Sequence, residues 1–187
     1  DVKRGTFTLG FDDAVAGTTN VAGNVTIDSF AGGTFATTGN DTIVVAGSVY
    51  HNGTTGGAVN LNAESTTVNG DVSVTGKGTL SFGDTAISGT AAGDMIHIKG
   101  NVTGGASAGN FAFNQGTVLI DGDLIQQSVV TSTISLNSAI VTIGGSLRVE
   151  GVGALTMGNT AKTDTVAGDM IAIKGLLYGG TDAGAIT

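Results

Sequence analysis

One stretch of this chain occurs twice. Gly78-Thr-Leu-Ser-Phe-Gly-Asp-Thr-Ala86 returns as Gly153-Ala-Leu-Thr-Met-Gly-Asn-Thr-Ala161, an offset of 75 in numbering. Ala92-Gly-Asp-Met-Ile-His-Ile-Lys-Gly100 returns at the same offset as Ala167-Gly-Asp-Met-Ile-Ala-Ile-Lys-Gly175. Thr42-Ile-Val-Val45 and Val59-Asn-Leu-Asn62 likewise align with Thr117-Val-Leu-Ile120 and Ile134-Ser-Leu-Asn137. A looser copy, Gly5-Thr-Phe-Thr-Leu-Gly10, opens the chain. A repeat of this kind constrains the fold more than any composition does. Each copy has the same apolar face to bury, and stacking the copies buries it as one continuous core.

Inside the long unit is a shorter one. Gly23, Gly47, Gly70, Gly93, Gly122, Gly145 and Gly168 fall at intervals of 24, 23, 23, 29, 23 and 23. Two positions before them stand Val21, Val45, Val68, Ala91, Ile120, Ile143 and Val166; two positions after, Val25, Val49, Val72, Met95, Leu124, Leu147 and Met170. Apolar residues at −2 and +2 are the period-2 signature of a strand. The intervals predict three short coils per long unit, with the insertion between Gly93 and Gly122. At about 3.3 Å per residue, a coil of this length traces two or three short strands and their corners, and coils stack about 4.8 Å apart.

The expected architecture is therefore all-β: a single β-solenoid, or parallel β-helix, over residues 1–187, with about seven to eight coils of about 23 residues. Its super-repeats run approximately 5–77, 78–152 and an incomplete 153–187. A β-sandwich rarely carries so long a near-identical unit. A propeller blade needs about 40–50 residues, which matches neither period. Right-handed crossovers dominate parallel pairing.

Composition agrees. There are 33 glycines and no proline, whereas average usage predicts roughly nine prolines in a chain of this length. Proline lacks the N–H that an interior strand donates. With 40% apolar and 12% charged residues the chain is unlike a disordered one. No apolar run approaches the ~20 residues of a membrane helix. The absence of Cys excludes disulfides and thiolate metal sites, and fits an extracellular protein. A net charge of −8 argues against nucleic acid and anionic lipid as partners. Asp1 in place of a starting Met fits either a product from which a signal segment has been removed or an artificially shortened chain, and the sequence does not choose between them.

Equivalent positions in successive coils form columns. Leu61 with Leu136, Leu80 with Leu155, and Phe82 with Met157 are expected in the core, with Phe7, Leu9 and Phe11 as the first coil's version. Gly76-Lys-Gly78 and Gly151-Val-Gly153 read as corners. The glycine column marks a place where a side chain is forbidden or the chain bends. The position after it reads Asn24, Ser48, Asp71, Asp94, Asp123, Ser146 and Asp169. Asn, Ser and Asp can all accept a hydrogen bond from a neighbouring backbone N–H, and this is the favoured reading. A calcium-bridged acidic ladder is the alternative, and structural calcium is the one cofactor considered.

Candidate chemistry is sparse. His51 and His97 each follow a column glycine by four positions, which predicts one shared face at a separation of about 10 Å, too far for one metal. Gln126 and Ala172 replace them one super-repeat later. Asp12-Asp13 and Asp121/Asp123 are paired carboxylates, but only seven cations accompany them: Lys3, Arg4, Lys77, Lys99, Arg148, Lys162 and Lys174. With no Trp and only Tyr50 and Tyr178, no aromatic platform for a sugar is evident. No catalytic, cofactor-binding or metal site is assigned, and no enzyme activity is expected. The sequons at Asn24, Asn40, Asn52 and Asn101 do not exceed chance. The Thr-x-Thr pairs Thr6/Thr8, Thr131/Thr133 and Thr163/Thr165 do not keep step with the coil, as an ice-binding array would require.

These coils of Gly, Thr, Val and Asn, with low charge and no Cys, resemble β-solenoid surface proteins of microbes. The similar groups are filamentous-haemagglutinin-like and autotransporter-passenger repeats, and surface-layer, sheath or filament subunits. The resemblance implies an exported, non-catalytic, cell-surface protein. The repeat begins at Gly5 and still runs past Gly175, to the equivalent of Ala112, with no capping helix. The expected function is thus a subunit of a self-assembling filament, sheath or surface layer, a homo-polymer formed through the solenoid ends. An adhesin or autotransporter stalk fragment contacting host or cell-surface glycan is the alternative; an ice-binding protein or a carbohydrate-active enzyme ranks lower.

Overall fold

The computed structural model describes residues 5–10, 16–28, 32–83, 95–114, 116–136, 140–157 and 170–187. Among them are 21 strands and no helix. The chain winds through seven coils, each giving one strand to each of three sheets. The first coil holds β1 (Thr6–Leu9), β2 (Thr18–Val21) and β3 (Val25–Ile27); the second β4 (Thr34–Thr37), β5 (Thr42–Val45) and β6 (Val49–His51). The third holds β7 (Ala58–Leu61), β8 (Ser65–Val68) and β9 (Val72–Val74); the fourth β10 (Thr79–Phe82), β11 (Met95–Ile98) and β12 (Val102–Gly104). The fifth holds β13 (Phe111–Phe113), β14 (Thr117–Ile120) and β15 (Leu124–Gln126); the sixth β16 (Thr133–Leu136), β17 (Ile140–Ile143) and β18 (Leu147–Val149). The seventh holds β19 (Ala154–Met157), β20 (Met170–Ile173) and β21 (Leu177–Gly179).

Sheet I runs β1-β4-β7-β10-β13-β16-β19, sheet II β2-β5-β8-β11-β14-β17-β20, and sheet III β3-β6-β9-β12-β15-β18-β21. The pairing is parallel throughout, for example Val45 opposite Val68 and Val49 opposite Val72. This is the expected β-solenoid, and its super-repeat is three coils. Eight strands, β5 to β12, recur one super-repeat later as β14 to β21.

Alternation decides which residues face inward. Phe35, Val59, Leu80, Phe111, Ile134 and Leu155 stack as one column of sheet I. The next inward column there carries Leu61, Phe82, Phe113 and Leu136. All of these are at most 1% exposed. The Phe82 and Phe113 rings stack at 4.7 Å between centroids. Met157 and Leu9 are partly buried against the core, while Phe7 is 41% exposed; Phe11 lies outside the described residues. A buried pair, Thr37 and Thr66, breaks the apolar interior, and its hydroxyls hydrogen-bond to each other at 3.0 Å.

The register corrects the glycine column in two places. Gly93 and Gly168 lie outside the described residues, and the column positions of their coils are held by Gly100 and Gly175. Gly100 N donates to Gly70 O at 3.1 Å and Gly175 N to Gly145 O at 2.8 Å. The insertions accordingly precede these glycines. Residues 83–94 link β10 to β11 and residues 158–169 link β19 to β20, where other coils after the first need three or four residues. Ala91-x-Gly93-x-Met95 and Ile98-x-Gly100-x-Val102 satisfy the same local pattern, so only pairing across coils separates them.

Because Phe82 is fully enclosed and stacked, Phe82→Ala is expected to destabilise the fold by about 3–5 kcal/mol in urea denaturation.

Candidate functional site

The corner between sheets II and III is three residues long in every coil: 22–24, 46–48, 69–71, 99–101, 121–123, 144–146 and 174–176. Its last position carries a continuous side-chain ladder. Ser48 N donates to Asn24 Oδ1 at 2.8 Å, and Asp71 N to Ser48 Oγ at 2.9 Å. Asn101 N donates to Asp71 Oδ1 at 2.7 Å, and Asp123 N to Asn101 Oδ1 at 2.8 Å. Ser146 N donates to Asp123 Oδ1 at 2.7 Å, and Leu176 N to Ser146 Oγ at 3.1 Å. Each coil thus caps a backbone donor of the next with a side-chain oxygen. The favoured sequence reading, a backbone-capping column, is what forms.

The membership of that column changes with the register. Asp94 and Asp169 lie outside the described residues, and Asn101 and Leu176 occupy the rungs assigned to them. Asp71 and Asp123 are then separated on the ladder by the neutral Asn101. Among the described residues no group of three or more His, Asp or Glu stands together.

The ladder also accounts for the glycines. A Cβ on Gly47 would meet Asn24 Oδ1, one on Gly122 Asn101 Oδ1, and one on Gly145 Asp123 Oδ1, each at well under 3.0 Å. These glycines do not have positive φ, so the requirement is for space, not for an unusual backbone. Gly23, with no coil beneath it, would meet nothing within 4 Å. Gly122→Ala is therefore expected to cost about 1–3 kcal/mol by overpacking. Gly23→Ala should be neutral or stabilise by up to about 1 kcal/mol. Paired thermal and urea denaturation of the two variants checks the contrast.

The same corner excludes proline. Asp121 N donates to Ile98 O, Gly122 N to Gly100 O, and Asp123 N to the ladder, so all three N–H groups of one corner are used. Corners between sheets III and I behave similarly, with Asn52 N bonded to Ile27 O and Glu150 N to Gln126 O.

The two histidines do not share a face. His51 points inward from sheet III and is fully buried, while His97 faces outward from sheet II, with Nε2 3.0 Å from Asp121 Oδ2. Their expected kinship rested on Gly93 being a column residue. Gly53 N donates to His51 Nδ1 at 3.3 Å, which leaves Nε2 as the proton-bearing nitrogen facing Gly33 O, also at 3.3 Å. Side chains at Gly53, Gly57 or Gly78 would strike the ring, at 2.7, 2.5 and 2.7 Å. Burial holds the His51 pKa below its usual 6.5, partly offset by the Gly33 carbonyl. The unfolded chain therefore binds the proton more readily. This contribution to stability is complete above pH 6.5 and is lost as the pH falls below it. Gln126 occupies the same inward column, so His51→Gln should keep the fold and remove that acid-side loss, read as urea midpoints across the pH range.

The other singled-out residues stay apart. Asp121 turns to His97 while Asp123 serves the ladder. Lys99 and Lys174 take equivalent places in the three-residue corner. Arg148 pairs with Glu150. Asp12, Asp13, Lys3, Arg4 and Lys162 lie outside the described residues. The sequon residues Asn24 and Asn101 have their side-chain oxygens in the ladder, and Asn52 Oδ1 accepts from Thr75 Oγ1 at 2.7 Å. Among the described strands of sheet I, Thr-x-Thr occurs on β1 alone; Thr34/Ala36, Ala58/Asn60 and Thr79/Ser81 follow it. Among the described residues no helix is long and apolar enough to cross a membrane.

The ladder residues Asn101 and Leu176 were missed from sequence, although Ile98-Lys-Gly-Asn-Val102 carries the full signal. No protein-family model, curated protein or solved structure matches the chain.

Proposed function

We propose that the protein is a non-enzymatic extracellular structural protein, a subunit that builds a filament, sheath or surface layer by end-to-end stacking of solenoids. The observation that carries this reading is the burial of one inward column. Val49, Val72, Val102, Leu124 and Leu147 are 0% exposed, yet Leu177, the same position in the seventh coil, is 47% exposed. Phe7 stands 41% open at the other end, where Phe35 beneath it is fully buried. One further coil on either face would bury these side chains; at the seventh coil residues 185–187 already pair with β19, which leaves the edges of β20 and β21 for a second copy to pair. Such a contact joins unlike faces and so propagates. The absence of proline and the donated corners between sheets II and III suit a rod of many coils, and the Cys-free composition suits an oxidising exterior.

The test is assembly of the purified 187-residue chain, followed by sedimentation velocity and electron microscopy. Filaments or open-ended oligomers should form with rising concentration. Leu177→Lys, placing a charge at the stacking face, should hold the chain monomeric with an unchanged β spectrum. A wild-type chain that stays monomeric at high concentration, with and without Ca²⁺, overturns the reading.

A further inference from the structure

Asp123, Ser146, Arg148, Leu176 and Tyr178 line a groove of about 200 Å³ on the outside of the last three coils. It runs between two outward columns. One is the corner ladder, which contributes Asp123, Ser146 and Leu176. The other is the outward column of sheet III, which contributes Arg148 and Tyr178, neighbours in register.

The repeat shows that this groove is a local departure from the pattern. Met170-Ile-Ala-Ile-Lys-Gly175 copies Met95-Ile-His-Ile-Lys-Gly100 with one change, and then Asn101-Val-Thr103 becomes Leu176-Leu-Tyr178. Ser73 likewise becomes Arg148. Three positions that are small and polar one super-repeat earlier become large, and all three wall the same groove. The scaffold does not need these changes. Ser73 and Thr103 pair in register within sheet III, and Asn101 completes the ladder, which Leu176 cannot extend. Leu176 and Tyr178 stand 73% and 48% exposed in the seventh coil.

The chemistry points to a sugar. We propose that the groove binds one neutral pyranose residue of a glycan. Tyr178 offers a ring face for the apolar C–H face of a pyranose, and Leu176 adds apolar lining. The Arg148 guanidinium presents several N–H donors for hydroxyls. The Asp123 carboxylate has acceptor capacity beyond the one bond it makes to Ser146 N. Arg148 is already neutralised by Glu150 and Asp123 adds a negative charge, so the site selects against anionic sugars. At about 200 Å³ the groove suits a single ring, below the roughly 300–1,000 Å³ of pockets for larger ligands.

The test uses the chain's own earlier repeat as its control. Methyl α-mannopyranoside, methyl β-galactopyranoside and N-acetylglucosamine are titrated separately and followed by saturation-transfer NMR, with sialic acid as the anionic comparison. At least one neutral sugar should bind saturably in the millimolar range, more tightly than sialic acid. The combined Arg148→Ser, Leu176→Asn, Tyr178→Thr variant installs residues that already stand at positions 73, 101 and 103. It should keep the wild-type β spectrum and melting temperature and bind at least about tenfold more weakly. Absence of saturable binding to all three sugars, equal binding by the variant, or preference for sialic acid overturns the proposal. Assembly is read separately by sedimentation. Filaments without sugar binding count against the groove alone, and sugar binding by a strictly monomeric chain counts against end-to-end stacking alone.

Discussion

A hydrogen bond from one coil's corner to the next, passing directly over a glycine, is the constraint on which the rest of this solenoid depends. The Asn, Ser or Asp oxygen that accepts the N–H of the following coil fills the space where the next column residue would carry a Cβ. The two columns are therefore one device. A glycine without the oxygen beneath it has no steric reason to be glycine, as Gly23 shows. The oxygen without the glycine would have no room. This reciprocity keeps the corner at three residues through seven coils, while the longer connections fall between sheets I and II. Insertions are accommodated where no ladder has to be kept.

Three interior polar groups sit where neighbouring residues make room or bonds for them. Thr37 and Thr66 satisfy each other across two sheets. His51 is held as a neutral ring by two backbone groups, in a space kept open by Gly53, Gly57 and Gly78. Gln126, one super-repeat on, donates from Nε2 to Gly109 O at 3.1 Å and extends over Gly104. In each case residues that accommodate the polar side chain belong to a different coil, so the match is a property of stacking and not of any single segment.

Much of the fold was legible because strand alternation is local and the repeat multiplies it. Apolar residues flanking a glycine at −2 and +2 identified most columns, and the long offset set three coils to a unit. What local pattern could not do was choose between two segments that both fit. Ala91-x-Gly93-x-Met95 kept the interval from Gly70 at 23 and drew the acidic column toward Asp94. Ile98-x-Gly100-x-Val102 lengthened that interval but met Ile, Val or Leu on each flanking strand. The error then spread to the histidines, since the face of His97 was counted from the wrong glycine. The outer groove was illegible for a different reason. Arg148 and Tyr178 are far apart in the chain, and only pairing of β18 with β21 makes them neighbours.

The amino-acid sequence by itself determined that this chain stacks: its period, its alternation, its lack of proline and its column of glycines admit little else. The missing prolines have a cause that composition could only suggest. Strands, and the corners between sheets II and III, give their N–H groups to the neighbouring coil, so a residue without one has few places to stand. The tertiary structure decided which glycine belongs to which coil, which carboxylates serve as caps, which histidine is buried and which side chains wall a groove. Those are questions of register. Hydrogen bonds between residues a full coil apart in the chain settle register, and no window of sequence short enough to show a strand contains both partners.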